Sequence, residues 1–203
     1  MTFSFTEGHS DPTVQPVPAS VVQQVDAADT TLSNPRRAVI SIGANLGNRL
    51  ETLQGAIDAL EDTPGVRIKA VSPVYETEPW GVDPGSQPSY FNAVVVLKTT
   101  LPPSSLLERA HAVEEAFHRV REERWGARTI DVDIVAYADV VSDDPVLTLP
   151  HPRAHERAFV LAPWHDVEPE AQLPGRGPVA TLLDTVTRDG VAPRKDLELR
   201  LPE

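Results

Sequence analysis

The stretch RTIDVDIVAY, residues 128–137, sets two carboxylates two positions apart. From Thr129 onward it is rich in β-branched residues and reads as a strand. Successive side chains on a strand point to opposite faces, so Asp131 and Asp133 share one face and Ile130, Val132 and Ile134 the other. Two carboxylates roughly 6.5–7 Å apart along a strand repel one another unless something positive lies between them. A pair of hard oxygen ligands suits Mg²⁺, which completes its shell with water and phosphate oxygens. The bland alternative is a strand with a solvated face.

What stands upstream weighs against the bland alternative. Arg119, Arg121, Arg124 and Arg128 crowd into ten residues, diluted only by Glu122 and Glu123, in a chain of net charge −12. Carboxylates that hold a metal, faced by guanidiniums, make a clamp for a polyphosphate. Taken alone, Arg119 and Arg121 also read as cations near a helix C-terminus. Aromatics are few, and for Trp80, Trp125 and Phe159 the core is the first assignment. Tyr90 differs, because strand alternation puts it beside Asn92 on the face turned away from the helices. An aromatic next to an amide suits a flat, hydrogen-bonding heterocycle.

Other chemistries lack their residues. There is no G-x-x-x-x-G-K-[ST] loop. The glycines of GANLGN, Gly43 and Gly47, read as a tight turn into a capped helix, with Asn48 and Glu51 at capping-box spacing. No Ser-His-Asp order is recognisable, and Pro152 between His151 and His155 argues against a helical metal pair. Without cysteine there is no disulfide framework and no zinc thiolate site. The negative charge weighs against nucleic acid as a partner. No apolar run reaches the roughly 18 residues of a membrane span, and the N-terminus lacks the basic start and apolar stretch of a secretory signal. A cytoplasmic monomer is the expectation.

The elements that must position these residues follow from periodicity. Residues 1–35 contain no Lys or Arg and no sustained apolar period, and read as an N-terminal tail ahead of one domain, 36–203. Ala38–Ile42 reads as a strand, and Leu50, Leu53, Ile57 and Leu60 as one helical face. Strands are expected over Val66–Tyr75 and Phe91–Thr99. A second helix follows Pro102, with Leu106, Ala110, Val113, Phe117 and Val120 as its stripe, and then comes the aspartate strand. The order βαββαβ predicts an α+β, ferredoxin-like core with an antiparallel sheet, both helices on one face and the other face open. C-terminal additions should include a helix within RAHERAFVLAPWHDVEPEA, a short one in PVATLLDTV and an edge strand at DLELRL.

SIGANLGNR, SPVYETEPWG, QPSYFNAVV, ERWGARTIDVDI and LPHPRAHERAFVLAP occur in the order seen in 6-hydroxymethyl-7,8-dihydropterin pyrophosphokinases, which the chain resembles from about Arg37 to Val179. The resemblance implies a ferredoxin-like enzyme of folate biosynthesis that transfers diphosphate from its co-substrate ATP to the pterin hydroxymethyl group. AMP is released, and two Mg²⁺ ions take part. It implies Asp131 and Asp133 as metal ligands, and Arg119 and Arg128 as the catalytic pair on the moving phosphoryl charge. Arg121 and Arg124 become further nucleotide contacts. Tyr90 and Phe159 resemble the rings that sandwich the pterin. Thr77, Glu78, Pro79, Trp80 and Asn92 resemble its wall, with Trp125 closing over it. Glu114, Ile134, Thr148, His151 and Arg157 match positions near the nucleotide. Glu78 and Trp80 fall in a segment that varies across the family, and Glu122–Glu123 stands where a lysine often lies. The rival reading is a non-catalytic ferredoxin-like domain binding a nucleotide, or a nucleic acid on Tyr90 and Phe91. The paired aspartates speak against the nucleic acid.

Overall fold

The computed structural model describes residues 34–79, 87–117 and 129–202. β1 (Arg36–Ala44) leads into α1 (Arg49–Glu61), whose first turn is capped by the Asn48 side chain accepting the Glu51 N–H at 3.4 Å. β2 (Val66–Val71), β3 (Tyr75–Thr77), β4 (Tyr90–Thr99), α2 (Pro103–Ala116) and β5 (Asp131–Tyr137) follow. Pro103 opens α2, where a missing N–H costs nothing. Every pairing is antiparallel. β4 lies beside β1 and β1 beside β5, β2 and β3 both line the outer side of β4, and β10 (Val191–Pro193) is outermost beyond β3. Apart from this sheet, β6 (Ser142–Asp143) pairs with β7 (Thr148–Leu149), and β8 (Gln172–Leu173) with β9 (Gly177–Pro178). With α1 and α2 on one face, this is the ferredoxin-like arrangement.

The first core forms as the alternation predicts. Ile40, Phe91, Val95, Leu97, Val132 and Ile134 meet Leu53, Ile57 and Leu60 of α1 and Leu106 and Val113 of α2. Gly55 lets the Phe117 ring close on α1, since a Cβ there would stand 2.6 Å from the ring.

Three expectations are corrected. Val66–Tyr75 is two strands, because Pro73 has no N–H to give the ladder. Ser72 bridges the break: its N–H donates to the Val94 carbonyl at 2.9 Å, and its hydroxyl accepts the Val94 N–H at 2.8 Å. β3 is thereby set beside the start of β4, pairing Thr77 with Tyr90 and Tyr75 with Asn92. The stretch DLELRL makes no strand among the described residues; Leu197 and Leu199 pack at the margin of the first core. The Gln54 amide holds the backbone of Arg200 at both ends, accepting its N–H at 2.8 Å and donating to its carbonyl at 3.2 Å. A side chain on α1 thus takes the place of a neighbouring strand.

The third correction matters most. The second face of the sheet is covered. A 3₁₀ turn (Ala154–Glu156), α3 (Ala158–Val167) and α4 (Val179–Leu183) pack there on Val39, Val94, Val96, Val135 and Ala136 as a second core. Trp164 is fully buried in it. Its indole N–H donates to Glu168 at 2.9 Å, and the same carboxylate takes a two-point pair from Arg37. Burial alone would raise the Glu168 carboxyl, but those hydrogen bonds hold it below its ordinary value. A register shift between Val39 and Ile40 puts an extra residue into β5, so that Val135 and Ala136 both join the second core. The covering stops short of Asp131 and Asp133, which stay half-exposed. Among the described residues no helix is long and apolar enough to cross a membrane.

Candidate active site

Register places the site. Across the sheet Gly43 pairs with Asn92 on one side and with Asp131 on the other, and Ser41 pairs with Val94 and Asp133. Directly paired residues point to the same face. Asn92, Gly43 and Asp131 therefore make one row, spanning two strand spacings or roughly 10 Å. Gly43 lies inside β1 rather than in the turn expected from GANLGN. A Cβ at Gly43 would stand 2.5 Å from the Asn92 amide oxygen. The glycine thus leaves a trough between an amide wall and a carboxylate pair.

On the amide side, Asn92 is buried and its Nδ2 donates to the Thr77 hydroxyl at 2.7 Å. That bond fixes the amide's orientation and leaves its oxygen over Gly43. Tyr90, the cross-strand partner of Thr77, is half-buried on the same face. Glu78 is exposed and Pro79 half-buried just past β3. Phe159 is partly buried at the start of α3, packed on the second core, with the Arg157 guanidinium 5.5 Å from its ring centre.

On the carboxylate side the segment after β7 (Thr148–Leu149) runs along β5, the His151 N–H donating to the Val135 carbonyl at 2.9 Å. That contact brings the His151 Nε2 to 3.9 Å from Asp133. Arg157 Nη1 lies 3.5 Å from the same Asp133 oxygen. The His151 Nδ1 accepts the Arg153 N–H at 3.1 Å. Burial, with the Arg157 charge adding to it, pushes the His151 ring down to about 4. At neutral pH the ring is therefore uncharged, with its proton on Nε2 facing the site. Among the described residues the Arg157 Nε is buried without a hydrogen-bond partner. A buried donor of that kind is costly unless an acceptor arrives.

Beside Asp133 a cavity of about 270 Å³ opens between α2, β5 and β7. Glu114, Ile134, Thr148 and His151, all expected near a nucleotide, line it with Asp133. Glu114 is buried, and its Oε1 accepts the Val132 N–H at 2.9 Å, pinning β5 between the two aspartates. His111 and Leu107 also line the cavity. Sequence reasoning missed both, although they fall on α2 one turn apart and His111 lies three residues before Glu114. Trp80, Arg119, Arg121, Arg124, Trp125 and Arg128 lie outside the described residues, as does most of the N-terminal tail.

Residues 39–169 match the family of 7,8-dihydro-6-hydroxymethylpterin-pyrophosphokinases. The chain belongs to that family. A 2-amino-4-hydroxy-6-hydroxymethyldihydropteridine pyrophosphokinase of Methylorubrum extorquens is 42% identical over 68% of this chain and 87% of its own. The Mycobacterium tuberculosis enzyme of the same name (strain H37Rv) is 42% identical over 82% of this chain and 95% of its own. Among solved structures, the Plasmodium falciparum wild-type HPPK-DHPS with pteroate matches with a TM-score of 0.60 at 16% identity, over 75% of this chain and 44% of that one. The chain thus spans under half the length of that protein, and at this identity the likeness shows the fold alone. Within the pyrophosphokinase family match fall β1 from Val39 onward through α3, and with them the trough, the aspartate pair and the cavity.

Proposed function

We propose that this chain transfers the diphosphate of ATP to the hydroxymethyl group of 6-hydroxymethyl-7,8-dihydropterin and releases AMP. The observation that carries the reading is the row Asn92–Gly43–Asp131, with the cavity of about 270 Å³ opening beside Asp133. A heterocycle held by Thr77 and Asn92 then presents its hydroxymethyl group toward phosphates leaving the cavity, and Tyr90 and Phe159 supply its stacking faces.

The donor set of Asp131 and Asp133 fits magnesium. Asp131 and Asp133 would hold two magnesium ions in this reading, and the remaining ligands would be water and phosphate oxygens. Bound there, magnesium supplies neutralisation of the phosphate charge. The chain's own groups do the rest. Arg157 and the His151 Nε2 proton face the same charge, and we assign Arg119 and Arg128 to the transferring phosphoryl group, with Arg121 and Arg124 as further contacts. In-line attack by the hydroxymethyl oxygen on the β-phosphorus forms one P–O bond as the bond to the α-phosphate oxygen breaks. The hydroxyl proton goes to solvent. Such a transfer asks for positioning and charge stabilisation more than for a strong base. Trp80 and Trp125 complete the pterin enclosure in this reading.

The test is direct. With MgATP and hydroxymethyldihydropterin the purified chain should release one AMP per pterin consumed, and no AMP without the pterin. Release of ADP, or no pterin-dependent turnover, would overturn the reading. Within it, Phe159→Ala removes one stacking face, weakening pterin binding by about 1–3 kcal/mol, as for bases stacked on aromatic rings. Affinity for a non-hydrolysable ATP analogue should hold within twofold, a split that titration calorimetry of each ligand resolves.

A further inference from the structure

Behind the trough, on the opposite face of the sheet, lies a polar cluster that the reaction itself does not use. Glu76 is the middle residue of β3; Tyr75 and Thr77 face the second core and the trough, so Glu76 faces the other way, beside its cross-strand partner Phe91. Its Oε1 accepts the Ser89 hydroxyl at 2.5 Å and lies 3.4 Å from Arg49 Nη1. Its Oε2 accepts Arg194 Nη1 at 2.6 Å. Arg49 also donates to the Ser89 carbonyl at 2.7 Å, and its guanidinium lies 3.6 Å from the centre of the Phe91 ring. Arg194 spans from Glu76 to Asp196, giving the latter two bonds of 2.9 and 2.7 Å. The Ser89 hydroxyl, with Arg194 and Arg49 behind it, holds the Glu76 carboxyl below its ordinary value in spite of partial burial.

Four segments meet at this one carboxylate: the start of α1, β3, the residue before β4, and the chain just past β10. Three of them adjoin a wall of the trough, and Arg49 of α1 braces Ser89 from the side. Thr77 follows Glu76, Tyr90 follows Ser89, and Val191 of β10 pairs with Thr77. β10 also holds the exit of β3, the Glu78 N–H donating to the Gly190 carbonyl at 3.1 Å. β3 is three residues long and lies outside β4 at the end of the sheet. Backbone pairing alone is a weak constraint on so short a strand, even between β10 and β4, and the cross-sheet cluster supplies what pairing does not.

We propose that Glu76 is a positioning residue for the pterin: by tying Ser89 and Arg194 together behind the sheet it fixes Thr77 and Tyr90 on the front, so that the C-terminal strand sets the affinity of the slot. The proposal rests on the pterin slot assigned above. It gives the chain beyond α4 a role in substrate binding without a contact to substrate.

The test is steady-state kinetics on the full chain, with each substrate varied at saturation of the other. Glu76→Ala should raise the pterin KM about tenfold, while kcat and the KM for MgATP stay within about twofold. Arg194→Ala should raise the pterin KM about threefold. The double variant should be no worse than Glu76→Ala alone, since residues in one network are not additive. Glu76→Gln keeps an acceptor for the Ser89 hydroxyl and should recover most of the loss. A pterin KM that stays put, or both KM values rising together, would overturn the proposal. If Glu76→Ala fails to fold by circular dichroism, Arg194→Ala and Glu76→Gln decide by the same criterion. A wild-type chain that does not turn over the pterin counts against the functional reading; an active one with an unmoved pterin KM counts against this inference alone.

Discussion

Asp133→Asn lowers kcat by about a thousandfold, equivalent to roughly 4 kcal/mol of lost transition-state stabilisation. The asparagine keeps the shape of the side chain and one ligating oxygen but removes a full negative charge from the face it shares with Asp131. It also leaves the Arg157 guanidinium without its carboxylate partner at 3.5 Å. Both changes fall where charge moves during transfer, so the loss belongs to the chemical step. The amide wall at Thr77 and Asn92 stands two strands away, joined by its own 2.7 Å bond, and pterin affinity should change by less than about threefold. Stability should hold, because removing one of two adjacent carboxylates relieves repulsion while the Arg157 contact is lost. Single-turnover rapid quench at saturating substrates isolates the chemical step. Wild-type rates at limiting magnesium would sink the metal assignment and the role of the strand with it.

Asp133 was legible because strand periodicity is strict. A period of two sends Ile130, Val132 and Ile134 into the first core and leaves the aspartates on the other side, whatever the rest of the chain does. The same logic placed Tyr90 with Asn92. It was weaker for the second core. Val39, Val94, Val96 and Val135 interrupt the alternation with apolar residues on the supposedly open face. Strands that read as continuous apolar runs, such as AVVVL in β4, are covered on both sides. The covering element, α3, lies some sixty residues further along, and local pattern cannot say where it docks. Gly43 failed for a related reason, since it acts through the Asn92 amide, a neighbour distant in sequence. Pro73 was a local signal, a residue without an N–H, that the apolar run around it masked. DLELRL alternates like a strand, yet it lies along α1, where the Gln54 side chain and not a sheet edge takes its backbone groups. The cavity residues His111 and Leu107 carry no local signal of a ligand, because an exposed histidine and a half-buried leucine on a helix look the same with or without one.

The second core makes the other large prediction. Trp164→Ala should cost about 3–5 kcal/mol of folding stability, the range for emptying a fully buried aromatic site. The indole is 0% exposed and sits where α3 meets the sheet. Its loss leaves a cavity and removes the N–H that Glu168 accepts at 2.9 Å. It also takes away the ring that the Arg37 guanidinium faces at 5.7 Å. Against a total stability of roughly 5–15 kcal/mol for a domain of this kind, the change moves the urea midpoint far enough to read without extrapolation. Trp164→Phe restores most of the volume but not the donor, and should recover about half of the loss. The same helix carries Phe159 in its first turn and begins immediately after Arg157. At temperatures where Trp164→Ala remains folded, slackening of α3 should therefore weaken pterin binding together with Arg157-dependent nucleotide binding. Asp131 and Asp133, held by β1 and by Glu114, keep their places. A Trp164→Ala chain with an unchanged urea midpoint would mean that α3 is not held by this core, and the face it covers would then be open, as the alternation alone suggested.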